Sequence, residues 1–98
     1  MNANEYINGM ADLIRTTSAE YVKVEDIDGR KRIAAKFHSV SEMNSEMKKA
    51  FIANAETLKA LNAGLKDLRA SGEIKSATNC WAPTLLEGGI ELRMDFGF

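Results

Sequence analysis

The stretch EYVKVEDIDGRKRIAAKFH, residues 20–38, decides how this chain folds. At its centre Asp28-Gly29 is the kind of dipeptide that a two-residue type I′ turn selects, because both turn positions need positive φ. A turn there sets Ile27 opposite Arg30, Glu25 opposite Arg32, Val24 opposite Ile33 and Val22 opposite Ala35. Side chains alternate between the two faces of a strand, so Val22, Val24, Ile33, Ala35 and Phe37 share one side. Tyr21, Lys23, Glu25, Arg30, Arg32 and Lys36 take the other. Turn chemistry, alternation and the Glu25/Arg32 charge pair all select one register. The segment is expected to be a β-hairpin with one apolar face and one charged face.

Upstream, residues 4–16 are expected to be helical, since Tyr6, Ile7, Met10, Ala11, Leu13 and Ile14 recur at spacings of three and four. Asn4 is the expected N-cap, with Glu5 well placed in the first turn. Downstream, Ser39-Val40-Ser41-Glu42 matches a capping box, and apolar positions follow at Val40, Met43, Met47, Ala50, Phe51, Leu58, Leu61, Leu65 and Leu68. Helix is expected over residues 39–71, closing at Ser71-Gly72. A continuous helix of that length spans about 45 Å, against a radius of gyration of about 13 Å for a compact domain of this size. It must therefore bend or break near Asn54 or Gly64, or pack its far end on a second copy of the chain.

Ile90, Leu92, Met94, Phe96 and Phe98 then alternate with Glu91, Arg93, Asp95 and Gly97, the pattern of a half-buried strand. Its expected partner runs from Glu73 to Ala82, with Pro83, Gly88 and Gly89 marking the connecting loop. The order α-β-β-α-β-β predicts a single α+β domain over residues 1–98. Its expected form is a four-stranded antiparallel sheet carrying one long helix and a shorter N-terminal helix.

Composition narrows the function classes. The chain has 98 residues, 45% hydrophobic and 28% charged, as an ordinary globular domain has. Thirteen basic and fourteen acidic residues leave a net charge of -1, which disfavours a general nucleic-acid coat. One cysteine, Cys80, allows no disulfide within the chain. Residues 1–15 lack the basic and apolar regions of a signal peptide, and no stretch approaches the roughly 18 apolar residues of a membrane span. A cytoplasmic protein without membrane contact is the expectation.

Catalytic and metal motifs were tested against the chemistry they require. One cysteine and one histidine cannot close a zinc site. An EF-hand aligned on Gly29 would put Val24 and Ala35 at its first and last ligand positions, where carboxylates are needed. Neither GxxxxGK[ST] nor GxGxxG occurs. Nothing sequential links Cys80 to His38 as nucleophile and base, and His38 reads as a strand-end residue. Glu25 and Asp26 point to opposite faces of a strand, the wrong arrangement for shared acid–base work. Glu91 and Asp95 can share a face, but one expected to be solvated. The expectation is a protein that is not an enzyme and that needs neither cofactor nor metal.

Three features remain as candidate contacts for a partner. On the hairpin, Arg30, Arg32, Lys36, Lys23 and Tyr21 share a face, with Lys31 at the turn, a basic ribbon able to touch phosphates and stack on a base. The plainer reading is a solvated face whose charges protect an edge. On the long helix, Phe51, Leu58 and Leu65 repeat at seven beside a second stripe, forming either a seam for a partner helix or one wide core band. Trp81 is either an interface anchor or a core cap. The leading expectation is a small non-enzymatic protein-binding module that regulates or inhibits a macromolecular partner by occupying its surface. Accessory proteins of phages and mobile elements, including anti-defence inhibitors, are of this kind, and a homodimer is one form it can take. The alternative is a nucleic-acid-binding protein that uses the basic face of the 20–38 hairpin.

Overall fold

In the computed structural model Asp28 and Gly29 have φ values of 48° and 77°, and strand β1 (Val22–Ile27) returns through them into β2 (Arg30–Phe37). Ile27 pairs with Arg30, Glu25 with Arg32, Val24 with Ile33 and Val22 with Ala35, as the turn chemistry requires. The structure describes residues 1–77 and 83–98.

Helix α1 spans Ala3–Ile14, starting earlier than the periodicity implied. Its N-cap is Asn2 and not Asn4: the Asn2 side chain accepts from the Glu5 N–H at 2.8 Å, and the Glu5 carboxylate accepts from the Asn2 N–H at 3.0 Å. Asn2 and Glu5 have the spacing of a reciprocal capping box, which satisfies two free donors where Asn4 would satisfy one. Asn4 instead accepts from Lys31 Nζ at 2.9 Å.

The expected long helix is two, α2 (Val40–Ala53) and α3 (Ala55–Ser71), parted at Asn54. Asn54 leaves helical geometry at φ −117° and ψ 35°, and its side-chain amide donates to the Ala50 carbonyl at 2.8 Å. Short amides that bond the preceding turn in this way compete with the helix ladder. The break is one of the resolutions that the length demanded, and the radius of gyration is 13.1 Å. Ser39 caps α2 by accepting from the Glu42 N–H, while the Glu42 carboxylate accepts from the Ser18 hydroxyl at 2.8 Å. At the far end Gly72 closes α3 at φ 80°.

Strand β5 (Gly89–Gly97) lies between β2 and an edge made of β3 (Ser76–Ala77) and β4 (Thr84–Leu86), all antiparallel to it. The expected Glu73–Ala82 partner strand is present at Ser76–Ala77, and its residues 78–82 lie outside the described residues. Among the described residues only Ser76 and Ala77 of that stretch are strand, and Thr84–Leu86, read as loop, pairs with β5. A tight turn at Glu87-Gly88, with Gly88 at φ 79°, lets Leu86 pair directly with Gly89 and leaves no room for a loop.

The Cα trace measures 39 × 32 × 18 Å, two layers thick, with helices on one face of the sheet. Between the layers Tyr6, Ile7, Ile14, Ile33, Phe37, Ile74, Leu92 and Phe96 are fully buried. Tyr6 meets Phe96 edge to face with ring centroids 5.6 Å apart. Phe51, Leu58 and Leu65 pack half-buried against this core, so the two stripes of residues 39–71 form one core-facing band. Val40, read as part of that band, is exposed. Among the described residues no helix is long and apolar enough to cross a membrane.

Candidate interaction face

Antiparallel pairing of β1, β2 and β5 arranges the second face of the sheet in rows. One row holds Tyr21, Lys36 and Glu91, joined by the Lys36 N–H donating to the Tyr21 carbonyl and by the β2–β5 register. The next holds Lys23, Ala34 and Arg93, then Glu25, Arg32 and Asp95, and last Ile27, Arg30 and Gly97. The rows follow from period-two alternation, because directly opposed residues share a face. Every long side chain in these rows is polar or charged except Ile27, and Leu86 of β4, opposite Gly89, adds an apolar side chain at the edge of the face.

These groups lie down and cover the sheet themselves. Ala34, at the centre of the face, is 1% exposed, and Glu91 is 7% exposed. Arg32 donates to both oxygens of Asp95, at 2.7 and 3.1 Å, a bidentate contact that fixes both side chains. Glu91 accepts from the Tyr21 hydroxyl and, at 2.6 Å, from Arg93 Nε. Lys36 meets Glu20 at 3.0 Å, and Lys23 meets Glu25 at 3.5 Å. The Lys23 ammonium also sits 4.4 Å from the centre of the Tyr21 ring, a cation–π geometry. Among the described residues no buried side-chain nitrogen or oxygen lacks a hydrogen bond.

Arg30 differs from its neighbours. It is exposed and makes no ion pair among the described residues. It borders a depression of about 360 Å³ lined by Ile27, Asp28, Arg30, Arg32 and Asp95.

The pairings shift the groups that make them. The hydrogen bond to Glu91, with burial and the carboxylate charge adding to it, pushes the Tyr21 phenol up to about 12. Burial opposes ionisation of Glu91, but the Tyr21 and Arg93 hydrogen bonds outweigh it and hold the carboxyl below its ordinary value. The Arg32 hydrogen bond likewise lowers Asp95.

Two titration results follow. A phenol raised in the folded state adds stability that is fully present below its unfolded value of about 10 and is lost as pH climbs through about 12. Ultraviolet titration of the parent is expected to show a Tyr21 step near 12 that Tyr21→Phe lacks, leaving only the step of Tyr6, which burial also raises. Lowered carboxyls act oppositely: their stabilisation is present above the ordinary range of about 4 and lost as pH falls below it.

Of the residues singled out from sequence, Tyr21, Lys23, Arg30, Arg32 and Lys36 do share this face. Lys31 does not. It pairs with Asp26 on β1 and Phe96 on β5, on the helix-covered face, and reaches α1. Alternation alone requires this, since consecutive residues of a strand point opposite ways. Phe51 and Leu58 pack against the core on the helix side, away from the charged face. Trp81 and Cys80 lie outside the described residues, and His38 is an exposed residue just past β2.

The sequence reading missed Glu91, Arg93 and Asp95 as members of the face. Their alternation was visible, but not that β5 lies beside β2, which turns a basic ribbon into a two-sign lattice. Glu91, expected on a solvated face, is buried under its own partners. Among the described residues no three His, Cys, Asp or Glu side chains are grouped to hold a metal ion. Compared with protein-family models, with curated proteins and with solved structures, the chain matches none.

Proposed function

We propose that this chain is a non-enzymatic protein-binding module that lays its charged sheet face on a macromolecular partner and regulates or inhibits it by occupying its surface. The observation that supports this most is the lattice of both charges on three rigid strands, ending at the exposed Arg30 beside a depression. Side chains already held by Arg32–Asp95 and Tyr21–Glu91 contacts lose little freedom on binding. Interspersed charges of both signs select a partner by complementarity, and Arg and Tyr are the residues most often decisive at interface centres. Acting in the cytoplasm, a compact chain of this kind fits the accessory proteins of phages and mobile elements, anti-defence inhibitors among them.

The test is capture and affinity measurement with the parent chain, Arg30→Glu, and a control on the outer surface of α3, Lys59→Glu. A specific partner should be held by parent and control, with Arg30→Glu weakening it about tenfold or more. Equal affinity of all three chains rejects the sheet face as the binding surface.

A second reading, nucleic-acid binding, draws on Lys23, Arg30, Arg32, Lys36 and Arg93 sharing one face with Tyr21. Against it, Glu20, Glu25, Glu91 and Asp95 stand among those cations. The two readings separate by titration with short DNA and RNA at low salt, where the protein-binding reading expects no association. Binding that weakens steeply with salt and is lost with Arg30 and Arg32 as alanines would favour nucleic acid.

A further inference from the structure

We propose that β1 is the docking edge for a second copy of this chain, the two β1 strands pairing antiparallel about a two-fold axis at Val24 and joining both sheets into one. This surface is the β1 edge of the sheet and shares with the charged face only the charges of Lys23 and Glu25, while the proposed function is tested at Arg30, so its failure leaves that function standing.

β1 is the outer strand of the sheet order β1-β2-β5-β3. In a two-residue hairpin the residues flanking the turn exchange hydrogen bonds, so Ile27, Glu25 and Lys23 bond inward to β2. The Tyr21 carbonyl accepting from the Lys36 N–H continues that series. The N–H and C=O groups of Val22, Val24 and Asp26 therefore point outward, a row of backbone groups that templates another strand.

Charge then chooses the occupant and the register. Pairing two β1 strands about Val24 sets Lys23 opposite Glu25 of the copy and Glu25 opposite its Lys23, on the charged face. On the helix side Val24 meets Val24, and Val22 meets Asp26 of the copy. Asp26 is exposed and makes no ion pair among the described residues. Arg15, from α1, overhangs this edge with its Nη2 3.5 Å from the Val22 carbonyl, the outer limit of a hydrogen bond. The copy's Asp26 arrives beside that guanidinium. Each charge of the edge thus faces an opposite charge of the copy, in addition to the Arg15–Asp12 contact at 2.7 Å and the Lys23–Glu25 contact at 3.5 Å within each chain. A two-fold at Asp26 would oppose two carboxylates instead, and one at Val22 would set Glu25 against Ala19.

Sedimentation of the full chain over a concentration series tests this, with Val24→Pro as the variant. Its N–H takes no part in the β1–β2 ladder, and proline is tolerated on edge strands whose N–H faces outward. The parent should approach twice the chain mass, and Val24→Pro should raise the dissociation constant on the order of tenfold or more, since two symmetry-related hydrogen bonds go together. Circular dichroism checks that the variant is folded. A second measurement stands independent of that variant. Opposed Cα atoms in a hydrogen-bonded antiparallel pair lie about 5.5 Å apart, within disulfide reach. In a Cys80→Ser background, Val24→Cys should oxidise to a linked dimer while Ile27→Cys stays single. A monomer at every concentration overturns the proposal, as does a dimer that Val24→Cys fails to cross-link.

Discussion

Phe96→Ala is expected to lower the unfolding free energy by about 3–5 kcal/mol. Phe96 is 1% exposed, near the end of β5 on the helix-facing side of the sheet, with its ring in T-shaped contact with that of Tyr6. Truncation removes that contact and leaves a cavity under α1 that neither the sheet nor a capped helix can close. A domain of this size holds about 5–15 kcal/mol in total, and each kcal/mol moves Tm by about 4–8 °C, so the midpoint should fall by tens of degrees. Urea unfolding followed by circular dichroism measures it, with the slope against denaturant unchanged. Phe98→Ala, two residues on and 43% exposed, serves as the contrast and should cost little. A loss below about 1 kcal/mol for Phe96→Ala would show that the layers are not held together there.

Gly89→Ala is the second large effect, about 1–3 kcal/mol of destabilisation. A Cβ on Gly89 would fall onto the Phe37 carbonyl oxygen, with the His38 Cα close behind. Backbone cannot swing aside as a surface side chain does, so the start of β5 must shift away from the end of β2. Ile90 pairs with Phe37 and Glu91 with Lys36 at this point, and the shift therefore loosens the row that holds Tyr21. The expected signature is double: a lower urea midpoint, and a Tyr21 phenol that titrates back toward about 10. An unaltered phenol with lowered stability would mean that the strand yields elsewhere and the charged face is set independently of its first pair.

Local signals account for what was readable in advance. The hairpin register needed only Asp28-Gly29 and the alternation on either side of it, because turn and strands constrain one another within a few residues. The apolar side of α1 and the alternation of β5 were equally local. Helix starts were less secure: the N-cap of α1 turned on which of two nearby asparagines could close a reciprocal box with Glu5. Beyond β5, Thr84–Leu86 was misread as loop because a strand of three residues is too short for any period to show. Phe51 and Leu58 carried a spacing that suits a core band and a partner seam alike, and only the place of the helices on the sheet separates the two.

The charged face divides in the same way. Sequence by itself determined that Tyr21, Lys23, Arg30, Arg32 and Lys36 lie on one side of a hairpin, since alternation from a known turn is a matter of backbone geometry. Lys31, read at the turn among the basic contacts, points the other way by that same alternation. Only tertiary structure decided that β5, some sixty residues later in the chain, lies against β2 and brings Asp95 to Arg32 and Glu91 to Tyr21. Partners so distant are chosen by which apolar faces bury together under α1, and the charges on the far face are carried along by the register that this burial sets.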